Sequence, residues 1–522
     1  MSSQFAPAID ALDAAVRSSA HFRAWLRSRR WCGDAIGMRA DLAVKDRAVL
    51  EEFGTEVLVL FLAVAREPEV QVVVHLPVSL STVRTSPDAY ELRAGAQRLY
   101  VTEAERREGY ANFLVEGFQR QQKIRTETGD AVQFHGSTIS AFRGIGPEVA
   151  ADTSNLLMRI ETADRAVVFK SYKLLDVQNR EPDILKRLHA KGFRHIPRYI
   201  GELALGRGPD RLVLGVATEH VEATDLFAWF VHGWSAELAE SGRPSIPFEP
   251  SVLDLVDRLG DATATLHEAL SDRHPGPFRA ETFGSEDATA ARRTAIANLG
   301  ATLRRLATLE RDTEKQVAGL AARTRALLFE HRAVIEETLR GLDAGIGTLK
   351  SVTHGDFHLA QVLLGATDGE LRFIDFEGEP ARPPGQRSLP LPPLRDVATM
   401  IRSFSYVTHY AWREFLGGDL TAALSLLDRE RLPESERAVA DRLLAWEGRA
   451  TNQFIRAYLV GTRLYPGLTE EAMMRFLRGW MMEKALYELR YELAHRPANI
   501  LIPLEGILAL TTGSGLGPTP VK

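Results

Sequence analysis

Residues 351–380, SVTHGDFHLAQVLLGATDGELRFIDFEGEP, concentrate polar side chains beside apolar runs built for a core. Asp356 follows a His-Gly pair and is followed, within the same stretch, by Gln361; Asp375 comes directly after the apolar run LRFI. Phosphoryl transfer needs this set of groups: a carboxylate that accepts a hydrogen bond from the attacking hydroxyl, and side-chain oxygens that help to hold a divalent ion. Magnesium takes oxygen donors and keeps several waters, so one carboxylate, one amide oxygen and the phosphates of a nucleotide suffice. HGD on its own is ordinary turn chemistry. The reading therefore rests on Asp356, Gln361 and Asp375 together, with Asp356 as the base and Gln361 and Asp375 as metal ligands.

Those groups need a scaffold. Residues 1 to 140 open with a short amphipathic helix around FRAWLRSRRW, followed by EVLVLFLAVA and VQVVVHLPVSL, which read as half-buried antiparallel strands. GDAVQFHGSTISAFRGIG reads as more strand, and NLLMRIETADRAVVFKSYKLL as a hairpin turning at ETAD. EPDILKRLHAKGF reads as a helix, with Pro182 in the first turn, Ile184, Leu185 and Leu188 on one face and Gly192 at its end. RLVLGVATEHV is a further strand, and long helical periods dominate from about residue 225. The expected architecture is α+β, a bilobal protein-kinase-like fold: a β-rich cap over 1–140, a sheet with one helix over 141–225, a large helical lobe over 226–510 carrying the catalytic and metal loops, and a flexible tail over 511–522.

The chain has 522 residues and a net charge of −5, with Lys and Arg interspersed among Asp and Glu. No basic field marks a nucleic-acid or anionic-membrane surface. The single cysteine, Cys32, fits a reducing compartment, and neither a leader nor an apolar run long enough to span a bilayer is evident, so the expected location is the cytoplasm.

HGDFHLAQVLL and FIDFEGEPARP, followed by PLRDVATMIRSF and EKALYELRYELAHRP, resemble the maltokinases, a branch of the aminoglycoside-phosphotransferase-like kinases. The resemblance implies ATP-dependent phosphorylation of maltose at its anomeric hydroxyl, feeding glycogen synthesis, with ATP and Mg2+ as cofactors. It implies no nucleic-acid or membrane partner, and leaves open association with a trehalose- or maltose-converting enzyme. A kinase for glucosamine, another small sugar or an aminoglycoside is the alternative substrate reading; a catalytically silent scaffold is the alternative of another class. Retention of Asp356, Gln361, Asp375 and Lys170 favours catalysis.

Carried over residue by residue, the resemblance makes His354 and Asp396 loop-fixing groups. It makes Lys170 the phosphate-contacting lysine, with Lys173 its rival, and Asp183 slightly favoured over Glu181 as its carboxylate partner. Thr153, Ser154 and Asn155 resemble the family's phosphate-covering loop, and Thr218 to Val221, including Glu219, would meet the adenine. His358, Glu377, Tyr487, Glu488 and Tyr491 are acceptor-site candidates; Met482, Leu486, Leu489 and Leu493 form an apolar stripe that places Lys484, Tyr487, Glu488, Tyr491 and His495 on the opposite face. Trp31 and Gly33 match the family's cap motif while Cys32 departs from it, and Trp31 reads as core.

Overall fold

The structure is a computed structural model that describes residues 5–32, 41–66, 71–149, 155–175, 179–208, 211–239, 248–311, 314–379, 382, 384–418, 426 and 428–512. Two compact units divide the chain, Met1–His189 with Pro197–Val221, and Ala190–Ile196 with Glu222–Lys522.

In the first unit, helices α1 (Ala6–Ser18) and α2 (Ala20–Arg27) are separated by Ser19, whose hydroxyl caps α2 by accepting the Phe22 N–H at 3.1 Å. Ile9, Leu12, Val16, Phe22 and Leu26 share one core with the inward residues of a sheet built from β1 (Asp41–Phe53), β2 (Glu56–Arg66), β3 (Gln71–Ser81), β4 (Tyr90–Ala94) and β5 (Gln97–Glu103), in the order β1-β2-β3-β5-β4. Trp31 and Cys32 lie in this core, as the sequence implies for Trp31; Gly33 falls outside the described residues. One expectation needs correction. β2 is buried on both faces, since Val57, Val59 and Phe61 are as hidden as Leu58, Leu60 and Leu62. A strand paired on each side by β1 and β3 and covered above and below has no solvent face to write in polar residues.

Helix α3 (Glu108–Arg120) leads to a second sheet, formed by β6 (Lys123–Arg125), β7 (Ala131–Gly136), β8 (Phe142–Ile145), β9 (Leu156–Thr162), β10 (Ala166–Ser171), β12 (Tyr199–Leu205) and β13 (Leu212–Glu219), in the order β6-β7-β12-β13-β10-β9-β8. The β9–β10 turn is the expected one, with Thr162 Oγ1 donating to the Arg165 carbonyl at 2.6 Å. β7 and β12 approach closely at Gly136 and Gly201: a Cβ at Gly201 would fall 2.3 Å from the His135 carbonyl oxygen. β11 (Leu174–Leu175) crosses to pair with β3. Helix α4 (Glu181–Ala190) buries Ile184, Leu185 and Leu188, as its sequence period requires.

The second unit is mostly helical: α5 (Leu226–Ala239), α6 (Phe248–Leu270), α7 (Ser285–Leu309), α8 (Lys315–Glu330), α9 (Arg332–Arg340), α10 (Pro384–Arg387), α11 (Leu394–Phe415), α12 (Glu434–Gly461), α13 (Glu470–His495) and α14 (Leu501–Thr512). Strands β15 (Glu281–Thr282) and β16 (Leu349–Lys350) pair with each other, and β14 (Ala223–Asp225), β17 (Val362–Gly365) and β18 (Leu371–Phe373) form a small sheet, in which the apolar runs QVLL and LRFI supply the antiparallel pair β17 and β18. α11 and α13 pack together, and almost every residue of α11 from Leu394 to Trp412 is buried. Among the described residues no helix is long and apolar enough to cross a membrane.

Candidate active site

The loop bearing Asp356 is fixed from behind by the first turn of α11. Asp396, wholly buried there, accepts the His354 N–H on Oδ2 at 2.7 Å and the Gly355 N–H on Oδ1 at 3.1 Å. His267 Nε2 lies 3.3 Å from the same Oδ2, and its Nδ1 lies 3.0 Å from the Tyr458 hydroxyl. Burial drives the Asp396 carboxyl upward, but the hydrogen bond and charge of His267 outweigh it and hold the group below its ordinary range. His354 does the opposite. Burial pushes its imidazole down, so the neutral ring donates from Nε2 to the Ile374 carbonyl at 2.9 Å and packs on Phe376, with centroids 4.5 Å apart. His354 thus joins the Asp356 loop to the segment carrying Asp375, in the loop-fixing place the family resemblance implies for it and for Asp396.

Two glycines permit the close approach. Gly355 (φ +88°) and Gly378 (φ +78°) stand back to back, and a Cβ on Gly355 would meet the Gly378 Cα at 3.0 Å. Asp375 itself adopts φ +66°, a left-handed conformation unusual outside glycine and common where a functional side chain must be aimed. Gln361 and Asp375 come together: the Gln361 main-chain carbonyl accepts the Ile374 N–H at 3.0 Å, and its side-chain amide donates to Asp375 Oδ2 at 3.2 Å. Asp375 and Glu377 each bring a carboxylate oxygen to within 4.8 Å of the other, close enough to share one cation. Two carboxylates and an amide are a hard-oxygen set suited to magnesium.

Asp356 keeps its side chain 18 % exposed. Oδ2 lies 3.7 Å from His358 Nε2 and Oδ1 lies 3.6 Å from Lys484 Nζ. Burial raises its carboxyl, but the facing His358 imidazole and the Lys484 charge lower it by more, so Asp356 is a carboxylate at neutral pH. Lys484 continues into a buried ion network: its Nζ lies 2.6 Å from Glu379 Oε1, Arg395 Nη2 lies 2.7 Å from Glu379 Oε2, and Arg382 binds both Glu379 and Glu483. Arg395 Nε also lies 3.4 Å from Glu483. Three cations against two carboxylates leave one positive charge, and Asp356 balances it. Burial opposes ionisation of both Glu379 and Lys484; the facing charges win, so that the Glu379 carboxyl is lowered and the Lys484 ammonium is raised.

Carboxylates held below their unfolded values stabilise the fold above about pH 4 and lose that contribution as pH falls toward their folded values. Asp356, Glu379 and Asp396 all share this sign. Thermal unfolding measured against pH is expected to be level near neutrality and to drop steeply below about pH 4.

The face of α13 opposite the apolar stripe is not open along its length. Lys484 and Glu488, which lie on it, are both buried: Lys484 pairs with Glu379, and Glu488 with Arg402 Nε at 3.0 Å. The helix is covered on nearly every side, so its charges are hidden in pairs; Glu-Lys within the apolar MMEKAL was the available signal. Tyr487 and Tyr491 do share a face, with rings 6.3 Å apart and 13° from parallel, and Lys484 Nζ stands 4.9 Å from the Tyr487 centroid.

In the first unit, Lys170 on β10 reaches Glu181 at the start of α4, with Nζ to Oε2 at 2.8 Å, and Tyr172 donates its hydroxyl to the same oxygen at 2.6 Å. Asp183, favoured by the family spacing, binds Arg211 at 2.7 Å instead, because two helical residues onward the side chain points to a different neighbour. Lys173, the rival lysine, is buried against Glu105 at 2.6 Å. Asn155 is buried, and its Oδ1 accepts the Lys173 main-chain N–H at 3.3 Å. Thr153 and Ser154 lie outside the described residues. Thr218 and Glu219 close β13, the Glu219 N–H donating to the Arg198 carbonyl at 2.9 Å, and Val221 ends the unit.

Residues 146–434, more than half of the chain, match the phosphotransferase enzyme family. The chain belongs to that family. Among curated relatives, this phosphotransferase is 28 % identical over 351 residues to the glucosamine kinase of Mycolicibacterium smegmatis, covering 66 % of this chain and 75 % of the relative. It is 29 % identical over 217 residues to the glucosamine kinase of Streptacidiphilus jiangxiensis, covering 41 % of this chain and 44 % of that one. A solved glucosamine kinase shares its fold at a TM-score of 0.59 and 20 % identity, covering 96 % of this chain and 97 % of the other. A glucosamine kinase in complex with glucosamine, ADP and inorganic phosphate gives 0.56 and 20 %, over 90 % and 93 %. The kinase-like expectation for the fold, β-rich at the N-terminal end and helical at the C-terminal end, is thereby met. The resemblance stated above holds at the level of the family, and the relatives named here are glucosamine kinases rather than maltokinases.

Proposed function

We propose that this phosphotransferase moves the γ-phosphoryl group of ATP to a hydroxyl of a small sugar, with glucosamine as the first candidate acceptor. The observation that carries the reading is Asp356: an ionised carboxylate, still partly open to solvent, in the same unit as the oxygen set of Gln361, Asp375 and Glu377. In a loose phosphoryl-transfer transition state the hydroxyl proton leaves late, so a carboxylate of low basicity serves by orienting the hydroxyl and taking its proton as the new P–O bond forms. Gln361, after a half-turn of its amide, Asp375 and Glu377 would hold Mg2+, which when bound neutralises charge on the phosphates. Lys170, oriented by Glu181, would contact the nucleotide phosphates. Lys484 keeps Asp356 ionised, and with His358, Tyr487 and Tyr491 it borders the space proposed for the acceptor.

Glucosamine is placed ahead of maltose because the two curated relatives named above carry that activity in their names. ADP release measured with ATP and magnesium over glucosamine, glucose, maltose, trehalose and an aminoglycoside tests the order. Highest kcat/KM on glucosamine is expected; preference for maltose would restore the substrate implied by the sequence resemblance. Lys170→Met is expected to lower kcat/KM for ATP by about 10²-fold or more through loss of a preorganised phosphate contact, and steady-state kinetics at saturating sugar reads the effect.

A further inference from the structure

The strand that carries Lys170 is gripped on both faces, and the second grip comes from the other sheet of the same unit. Side chains alternate along a strand. On one face Lys170 and Tyr172 reach Glu181. On the other, Ser171 and Lys173 reach Glu105, in the short helical turn Ala104–Arg106 that follows β5: Ser171 Oγ donates to Glu105 Oε1 at 2.9 Å, and Lys173 Nζ lies 2.6 Å from the same oxygen. All three are buried, Lys173 completely. Trp31 covers the ammonium, with its ring centroid 4.9 Å from Nζ, and donates its indole N–H to Glu103 at 2.7 Å. The main chain is tied as well, since the Lys173 carbonyl accepts the His75 N–H of β3 at 2.9 Å.

A buried ion pair is a poor source of stability, because desolvation of two charges cancels most of the attraction and an apolar pair of like volume does as well or better. Charge-assisted hydrogen bonds do supply direction. We propose that Glu105 and Lys173 form a clamp through which the six-stranded sheet sets the position of β10, making Glu105 a positioning residue for nucleotide binding at Lys170. The inference rests on the reading of Lys170 given above. Displacement of β10 along its axis would carry Lys170 away from its place while leaving the acceptor-side residues, which belong to the second unit, untouched.

The test uses the full chain and four proteins: wild type, Lys170→Met, the double variant Glu105→Leu with Lys173→Met, and Ser171→Ala. ADP affinity is measured by calorimetry, KM for ATP and for the sugar by steady-state kinetics, and folding by thermal unfolding. The double variant is expected to unfold near the wild-type temperature, bind ADP about tenfold more weakly, and raise KM for ATP with KM for the sugar unchanged. Ser171→Ala, which removes one hydrogen bond and keeps the ion pair, is expected to move the same two quantities less, and stands in for the double variant if that protein does not fold. Wild-type ADP affinity in a folded double variant, or in Ser171→Ala where only that variant folds, overturns the clamp. Wild-type behaviour of Lys170→Met overturns the nucleotide reading and the clamp with it, whereas weakened Lys170→Met beside an unaffected double variant removes the clamp alone.

Discussion

Asp356→Asn is expected to lower kcat by about 10²- to 10⁴-fold, the range for loss of a positioned general base, while ADP binding stays at the wild-type level. The asparagine keeps the shape of the side chain and can still receive a hydrogen bond on Oδ1, but it cannot accept the proton of the attacking hydroxyl. It also removes the one negative charge that balances Lys484, Arg382 and Arg395 against Glu379 and Glu483. Single-turnover measurement with the sugar saturating separates the chemical step from binding. Undiminished turnover would remove Asp356 as the base; absence of turnover in the wild-type chain with every acceptor would favour a silent scaffold.

Glu379→Gln carries the largest expected cost in stability. Glu379 is wholly buried and receives Lys484, Arg395 and Arg382. Removing its charge leaves two buried cations, Lys484 and Arg395, and the half-buried Arg382 facing Glu483 and Asp356, and breaking a buried pair from one side costs about 3–5 kcal/mol. Thermal unfolding followed by circular dichroism is expected to show a fall of roughly 10 °C. Activity should fall with it even well below the new midpoint, because Lys484 loses the partner that holds its ammonium beside Asp356. A change of only a degree or two would mean that the network relaxes at little cost and that Glu379 does not fix Lys484.

The central segment was legible in the sequence because its chemistry is local. HGD, Gln361 and the Asp375 that follows LRFI lie within a single hairpin and its flanks, so spacing along the chain nearly determines spacing in space. Helix α4 and the β9–β10 hairpin were legible for the same reason: a face repeating at helical period and a turn at ETAD are short-range signals. The elements not marked by a simple period, α1, β1, β4, β5, α3 and β12, carry charged residues among their apolar ones; β1 and β12 become regular by pairing with β2, β7 and β13, β4 and β5 pair with each other, and the helices α1 and α3 bury one face against neighbouring strands. β6 and β7 were placed with the cap yet join the sheet of β8 to β13, a choice that depends on β12.

The ion networks were the least legible part. Glu379 and Lys484, or Lys173 and Glu105, are far apart in sequence, and each residue taken alone has the look of a solvated surface charge. The choice between Glu181 and Asp183 turned on helix phase, which no spacing rule sees: Glu181 meets Lys170, and Asp183 meets Arg211. The sequence resemblance points to maltose while the relatives named above are glucosamine kinases, because acceptor preference depends on side chains brought together from distant parts of the chain, which spacing along the sequence does not rank.

A crystal structure of the full chain with a non-hydrolysable ATP analogue, magnesium and glucosamine tests the central claim most directly. The account predicts one divalent ion bound by Gln361, Asp375 and Glu377, and a sugar hydroxyl within hydrogen-bond distance of Asp356. An ion held by other residues, or a sugar bound away from Asp356, would contradict it.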